Sequence, residues 1–154
     1  MIVDCHGHYT TAPPALSEWR KRQVAEKNFS EKELRISDDE IRDSLEGAQL
    51  KLQRERGTDV TFFSPRASGM EHHVGSAEIS LGWSQACNDL IHRCCSLYPA
   101  NFVPVCQLPQ SPGIAPKNSI RELERCVKEL GFIGCNLNPD PSGGHWKDPP
   151  LTDR

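Results

Sequence analysis

The sequence predicts an α/β fold of parallel strands alternating with helices, on three observations. Four short apolar runs rich in β-branched and aromatic residues are separated by helix-forming stretches. These runs are near-continuously apolar rather than alternating, as expected of strands in a covered parallel sheet. Polar and ionisable residues gather at the carboxyl ends of the runs, which is where a β/α barrel carries its chemistry. A doubly wound sheet has the same rhythm, but no Gly-x-Gly-x-x-Gly follows any run.

Ile2 to Cys5 reads as a short buried first strand. Pro13 and Pro14 open a polar helix reaching about Asn28, and residues 28–36 read as a charged surface loop. Ser37 and Glu40 form a capping box. Ile41, Leu45, Ala48 and Leu52 follow at helical spacing, and Gly57 stops the helix. Thr58 to Phe63 is the second strand, and Ser64-Pro65-Arg66 turns the chain into a loop. Ser80 begins a third helix with Trp83, Ala86, Cys87, Leu90, Cys94 and Leu97 inward. Phe102 to Gln107 is a third strand despite Pro104, which removes one ladder donor. Pro116 opens a helix faced by Ile120, Leu123, Val127 and Leu130, and Gly131 ends it. Phe132 to Asn138 is the fourth strand, and residues 139–154 read as loop.

The 154 residues amount to one domain, residues 1–154. The net charge of −3 with no basic block speaks against nucleic-acid and anionic-membrane partners. No apolar run is long enough to span a bilayer, and an acid at Asp4 without a basic flank is not a secretory leader, so the expected location is cytoplasmic. The seven cysteines are odd in number and form no Cys-x-x-Cys pair. They read as small reduced core residues rather than a disulfide framework.

The chemistry starts at His6 and His8. Residues two apart in an extended backbone point to the same side, so both imidazoles can reach one ion. Gly7 between them leaves room and lets the chain bend. Neutral imidazole suits zinc, which makes His6 and His8 the candidate metal ligands. After the second strand come Ser64, Arg66, Ser68, His72 and His73; after the third, Gln107 and Gln110; after the fourth, Asn136, Asn138, His145 and Lys147. Arg66 is the best placed to hold a substrate carboxylate, because a guanidinium meets a carboxylate in a two-bond fork. Ser68, His73 and Asn138 join it as candidate substrate-binding residues.

At IVDCHGHYT, FFSPRAS, EHHVG, LPQSPG and GCNLNPDPSGGHWKDPPLTDR the chain resembles the 4-oxalomesaconate hydratases. These belong to the amidohydrolase superfamily, in the branch of the aminocarboxymuconate-semialdehyde decarboxylase-like enzymes. The resemblance implies a TIM (β/α)8 barrel with one divalent metal, zinc by expectation, bound through His6 and His8. It implies addition of water to an unsaturated oxo-tricarboxylate in protocatechuate 4,5-cleavage; decarboxylation is the nearest alternative chemistry, and an inactive fragment the non-catalytic one. A whole barrel takes about 250 residues, so four strands correspond to its N-terminal half. The remaining ligands and the catalytic acid or base are then expected beyond Arg154. The expected partners are a small-molecule tricarboxylate and either a homo-oligomer or the missing C-terminal half.

Overall fold

The computed structural model describes residues 1–26, 34–66 and 74–138. Four parallel strands lie side by side in chain order: β1 (Val3–Tyr9), β2 (Val60–Pro65), β3 (Phe102–Gln107) and β4 (Gly134–Asn136). Between them run α1 (Pro14–Ala25), α2 (Asp38–Ser44), α3 (Leu50–Arg56), α4 (Ala77–Leu97) and α5 (Ile120–Lys128). Consecutive parallel neighbours joined by helices form an arc of β/α units.

β1 is longer than its apolar residues predict. It continues through His6, Gly7 and His8 because β2 offers them partners: Gly7 pairs with Phe63, His8 with Ser64 and Tyr9 with Pro65. β2 accordingly includes Ser64 and Pro65, which the sequence reading assigns to a turn. Ile2, Val3, Asp4 and Cys5 are exposed rather than buried, since β1 is an edge strand in the described structure. β3 has the predicted bounds; Pro104 loses a donor, but its carbonyl accepts from the Ile133 amide at 3.1 Å. β4 is shorter than expected, with only Gly134–Asn136 in register with β3.

The capping box forms as its residues dictate. The Ser37 hydroxyl accepts from the Glu40 amide at 3.2 Å, and the Glu40 carboxylate accepts from the Ser37 amide at 2.8 Å. The helix then widens into a π-helical turn, Leu45–Gln49, before resuming as α3 and stopping at Gly57 with φ +67°. One extra residue in a turn rotates everything after it by roughly 100°. Hence Leu50 and Gln53 are buried, whereas Leu52, on the predicted face, is 45% exposed. The same turn carries Gln49 to the end of β1, where its amide donates to the His8 carbonyl.

α4 begins earlier than predicted, because the Ser76 hydroxyl caps it by accepting from the Ile79 amide. On α5 the predicted apolar face holds in part, since Leu123 and Leu130 pack against the core. Ile120 and Val127 are exposed, while Glu122 and Cys126 are buried. The Glu122 carboxylate turns inward because Arg125 and Asn88 each donate to it at 2.8 Å.

The main core lies between the sheet and its helices, with Phe63 and Phe102 stacked at 4.3 Å and Ile41, Leu45, Leu50, Ile91 and Cys94 around them. All seven cysteines are free, and five are buried as expected; Cys5 and Cys135 are exposed, because they lie on β1 and β4. Burial pushes the Cys94 thiol up to about 12 and raises Cys87 and Cys95 as well, so these thiols stay protonated and inert. Among the described residues no helix is long and apolar enough to cross a membrane.

Candidate metal centre

The pairing of β1 with β2 slips register between Asp4 and Gly7. Within the slip, the Asp4 carboxylate accepts from the His6 amide at 3.1 Å. An irregularity of this kind re-aims side chains. Here it brings His6 Nε2 and His8 Nε2 within 3.0 Å of each other, with the two rings nearly perpendicular.

Gly7 is required for close approach rather than for an unusual backbone angle. A Cβ there would lie 2.1 Å from Thr61 Cγ2 and 3.2 Å from the Phe62 carbonyl oxygen. Thr61 is branched, buried and on the adjoining strand, so it has little room to retreat. Gly7→Ala is expected to cost about 1–3 kcal/mol, the usual range for overpacking, and to separate the two imidazoles. Urea unfolding together with histidine side-chain NMR checks both effects.

His8 is half-buried and fixed on its other ring nitrogen. Nδ1 lies 3.0 Å from the Pro65 carbonyl oxygen and 2.8 Å from Ser64 Oγ. A carbonyl can only accept, so Nδ1 carries the proton and Nε2 presents a lone pair. His6 is exposed, and its Nε2 meets that lone pair.

The pair fits a small divalent cation. A tetrahedral ion with imidazoles at about 2.0–2.1 Å would hold the two nitrogens roughly 3.3 Å apart, a few tenths of an ångström from the separation seen. A ligand histidine whose second nitrogen donates to a backbone carbonyl is the usual support for such a site. Among the described residues no third His, Cys, Asp or Glu completes a cluster of ligands.

Arg66 follows directly on Pro65, whose carbonyl holds His8, and is exposed. It lines a cleft of about 350 Å³ with Thr10, Ser17, Arg20, Lys21, Leu16, Trp83 and Ile91, a lining that includes neither His6 nor His8. Asn138 is tied down by its backbone: its amide donates to Gln110 Oε1 at 2.7 Å, and its carbonyl accepts from Gln110 Nε2 at 2.9 Å. Ser68 and His73 lie outside the described residues, as do His72, His145 and Lys147.

For two residues at the centre, Ser64 and Asn136, the sequence shows only a position near a strand end. Ser64-Pro65-Arg66 predicts a turn, yet Ser64 sits within β2 beside His8, and Asn136 donates to its hydroxyl at 2.8 Å. Ser64 lies two residues beyond Phe62 on β2, and Asn136 two beyond Gly134 on β4; that spacing is the signal that could have marked them, because alternate strand residues share a face.

The chain matches the amidohydrolase family over residues 3–154. It is 58% identical to 2-keto-4-carboxy-3-hexenedioate hydratase of Sphingobium sp., over 100% of this chain and 46% of that one. It superposes on the crystal structure of 4-oxalomesaconate hydratase from Rhodopseudomonas palustris with a TM-score of 0.88 and 53% identity, covering 100% of this chain and 46% of that one. A dihydroxybenzoic acid decarboxylase from Polaromonas sp., solved with bound manganese, shares the fold at 22% identity and TM-score 0.58, over 89% of this chain and 38% of that one. The chain therefore spans about half the length of the curated relatives it matches. The four parallel strands are half of a β/α barrel of the amidohydrolase type.

Proposed function

Because this chain belongs to the amidohydrolase family, we propose that it forms the His-x-His half of a metal-dependent hydratase acting on 4-oxalomesaconate or a closely similar unsaturated oxo-tricarboxylate. The observation that carries this reading is the 58% identity to the Sphingobium hydratase, sustained over the whole chain. Decarboxylation is not favoured, since decarboxylases resemble this chain only distantly.

The name of that relative defines the chemistry. A keto group at carbon 2 and a double bond between carbons 3 and 4 make carbon 4 electrophilic. Water adds there as hydroxide while carbon 3 takes a proton, and no oxidant or reductant is consumed. His6 and His8 would hold a divalent cation, zinc or manganese, and when bound it supplies a polarised, easily deprotonated water. His8 offers its Nε2 lone pair because the Pro65 carbonyl holds the proton on Nδ1. Arg66, one residue further on, has the charge and planar fork to orient a substrate carboxylate; Ser68, His73 and Asn138 are proposed as further substrate-binding residues. Seven unpaired cysteines suit a reducing compartment, in line with a cytoplasmic enzyme. The edges of the sheet at β1 and β4 carry exposed Ile2, Val3, Ile133 and Leu137, a surface suited to a second copy or to the rest of a barrel.

The test is loss of the conjugated enone absorbance of 4-oxalomesaconate in the presence of zinc or manganese. The chain is assayed alone and mixed with the remaining C-terminal segment of the Sphingobium hydratase. Metal-dependent hydration in the mixture supports the reading, and a folded, metal-loaded mixture without turnover overturns it. In the same assay Arg66→Lys keeps the charge but loses the fork, and is expected to raise KM about tenfold or more with a smaller change in kcat. Unchanged kinetics would remove Arg66 from the site.

A further inference from the structure

We infer that Ser64 and Asn136 are positioning residues for His8, acting as a hydrogen-bonded relay that runs from β4 through β2 to β1. The inference rests on the metal-binding reading of His6 and His8 and adds two residues to it.

The direction of every bond in the relay follows from its partners. Ser64 Oγ stands within reach of three groups: the Gly7 carbonyl at 2.9 Å, Asn136 Nδ2 at 2.8 Å and His8 Nδ1 at 2.8 Å. A hydroxyl has one proton to give and two lone pairs to receive. The amide nitrogen of Asn136 only donates, so it occupies one lone pair. The Gly7 carbonyl only accepts, so it takes the hydroxyl proton. One lone pair is left, and it faces His8 Nδ1, which must then donate. The Pro65 carbonyl, 3.0 Å from the same nitrogen, imposes the same requirement. The opposite assignment would set Ser64 against the Gly7 carbonyl and His8 Nδ1 against the Pro65 carbonyl, each as acceptor facing acceptor.

Ser64 is 2% exposed, so solvent is not at hand to replace these bonds. The relay also ties the strand carrying the histidines to β4, three strands along in the sheet. With both Ser64 and Pro65 accepting from Nδ1, the ring is held in one plane, and Nε2 points at His6 before any ion arrives. Preorganising a ligand in this way raises metal affinity without adding a ligand, and loss of such a partner costs roughly 10–100-fold.

The experiment uses the full 154-residue chain. Long-range proton–nitrogen NMR of the metal-free protein at about pH 8.5, where an ordinary imidazole is neutral, reads the tautomer of His8. Zinc affinity comes from competition with a chromophoric chelator. The unaltered chain is expected to show the Nδ1–H form of His8. In Ser64→Ala and Asn136→Leu the Nε2–H form should gain a detectable share, and zinc affinity should fall about tenfold. Ser64→Thr keeps the hydroxyl and should restore both. Asn136 is only half-buried, so its replacement carries the test alone if Ser64→Ala does not fold.

A purely structural role would lower thermal stability and leave the tautomer unmoved. Folded variants with unchanged tautomer and unchanged zinc affinity would overturn the inference while leaving the metal reading intact. A relay-dependent tautomer in a chain that binds no zinc would uphold the relay and sink the metal reading.

Discussion

Replacing His8 with alanine is expected to abolish zinc uptake by this chain, a larger loss than the roughly 10–100-fold typical of removing a supporting partner. The reason is that a ligand disappears rather than its orientation. His8 is the imidazole whose Nε2 is kept unprotonated and aimed at His6, with Nδ1 engaged by Pro65 and Ser64. His6→Ala should also weaken binding, because the 3.0 Å pair is then broken. His92→Ala is the control. Its ring lies against the Leu130 carbonyl, within the helical layer, and zinc uptake should not change. Metal analysis after dialysis against zinc, with chelator competition, distinguishes these outcomes. Undiminished zinc in a folded His8→Ala protein would refute the assignment of the site.

The second large effect is on stability. Glu122 is 1% exposed and accepts from Asn88 and from both ends of the Arg125 guanidinium. Removing one member of a buried charge pair typically costs about 3–5 kcal/mol, a large share of the 5–15 kcal/mol that holds a domain together. Glu122→Ala should destabilise by up to that much, because Asn88 and Arg125 each lose an acceptor and keep only the Gln107 carbonyl and Asp89 respectively. Glu122→Gln keeps the shape and the bond from Asn88, and should cost about 1–3 kcal/mol.

The pH dependence has a definite sign. Burial pushes the Glu122 carboxyl upward, but the Arg125 and Asn88 hydrogen bonds and the Arg125 charge outweigh it and hold it below the ordinary value. A depressed folded value means stability that is complete above the unfolded value of about 4.3 and is lost as pH falls through the folded one. The stability gap between the natural chain and Glu122→Gln should therefore close in acid. Urea unfolding at about pH 7 and pH 4 measures it. A Glu122→Ala protein within about 0.5 kcal/mol of the natural chain, the usual range for surface changes, would show that the pair contributes little.

That buried carboxylate also marks where sequence reading failed. Ile120 and Val127 have helical spacing and an apolar character, so periodicity alone faces them inward. What brings Glu122 inward, while Leu123 and Leu130 keep to the core, is Asn88, distant in the sequence, meeting Glu122 on one side and the backbone of Gln107 on the other. No local rule contains that meeting. The π-helical turn is a similar case: the capping box at Ser37 and the stop at Gly57 were legible, but the one-residue widening that buries Leu50 in place of Leu52 was not.

Legible from the chain alone are the order of strands and helices, the capping box, the bounds of β3 and the shared side of His6 and His8. Each rests on interactions between residues close in the chain, where spacing and side-chain type are enough. Long-range strand pairing decided that His6 and His8 lie within β1 and that the strand slips register before Gly7. It likewise decided that Ser64 and Asn136 stand behind His8. These depend on where β2 and β4 come to lie beside β1, and on the single proton that a serine hydroxyl can give. Which of three neighbours receives that proton is settled by atoms that meet only when the sheet has formed.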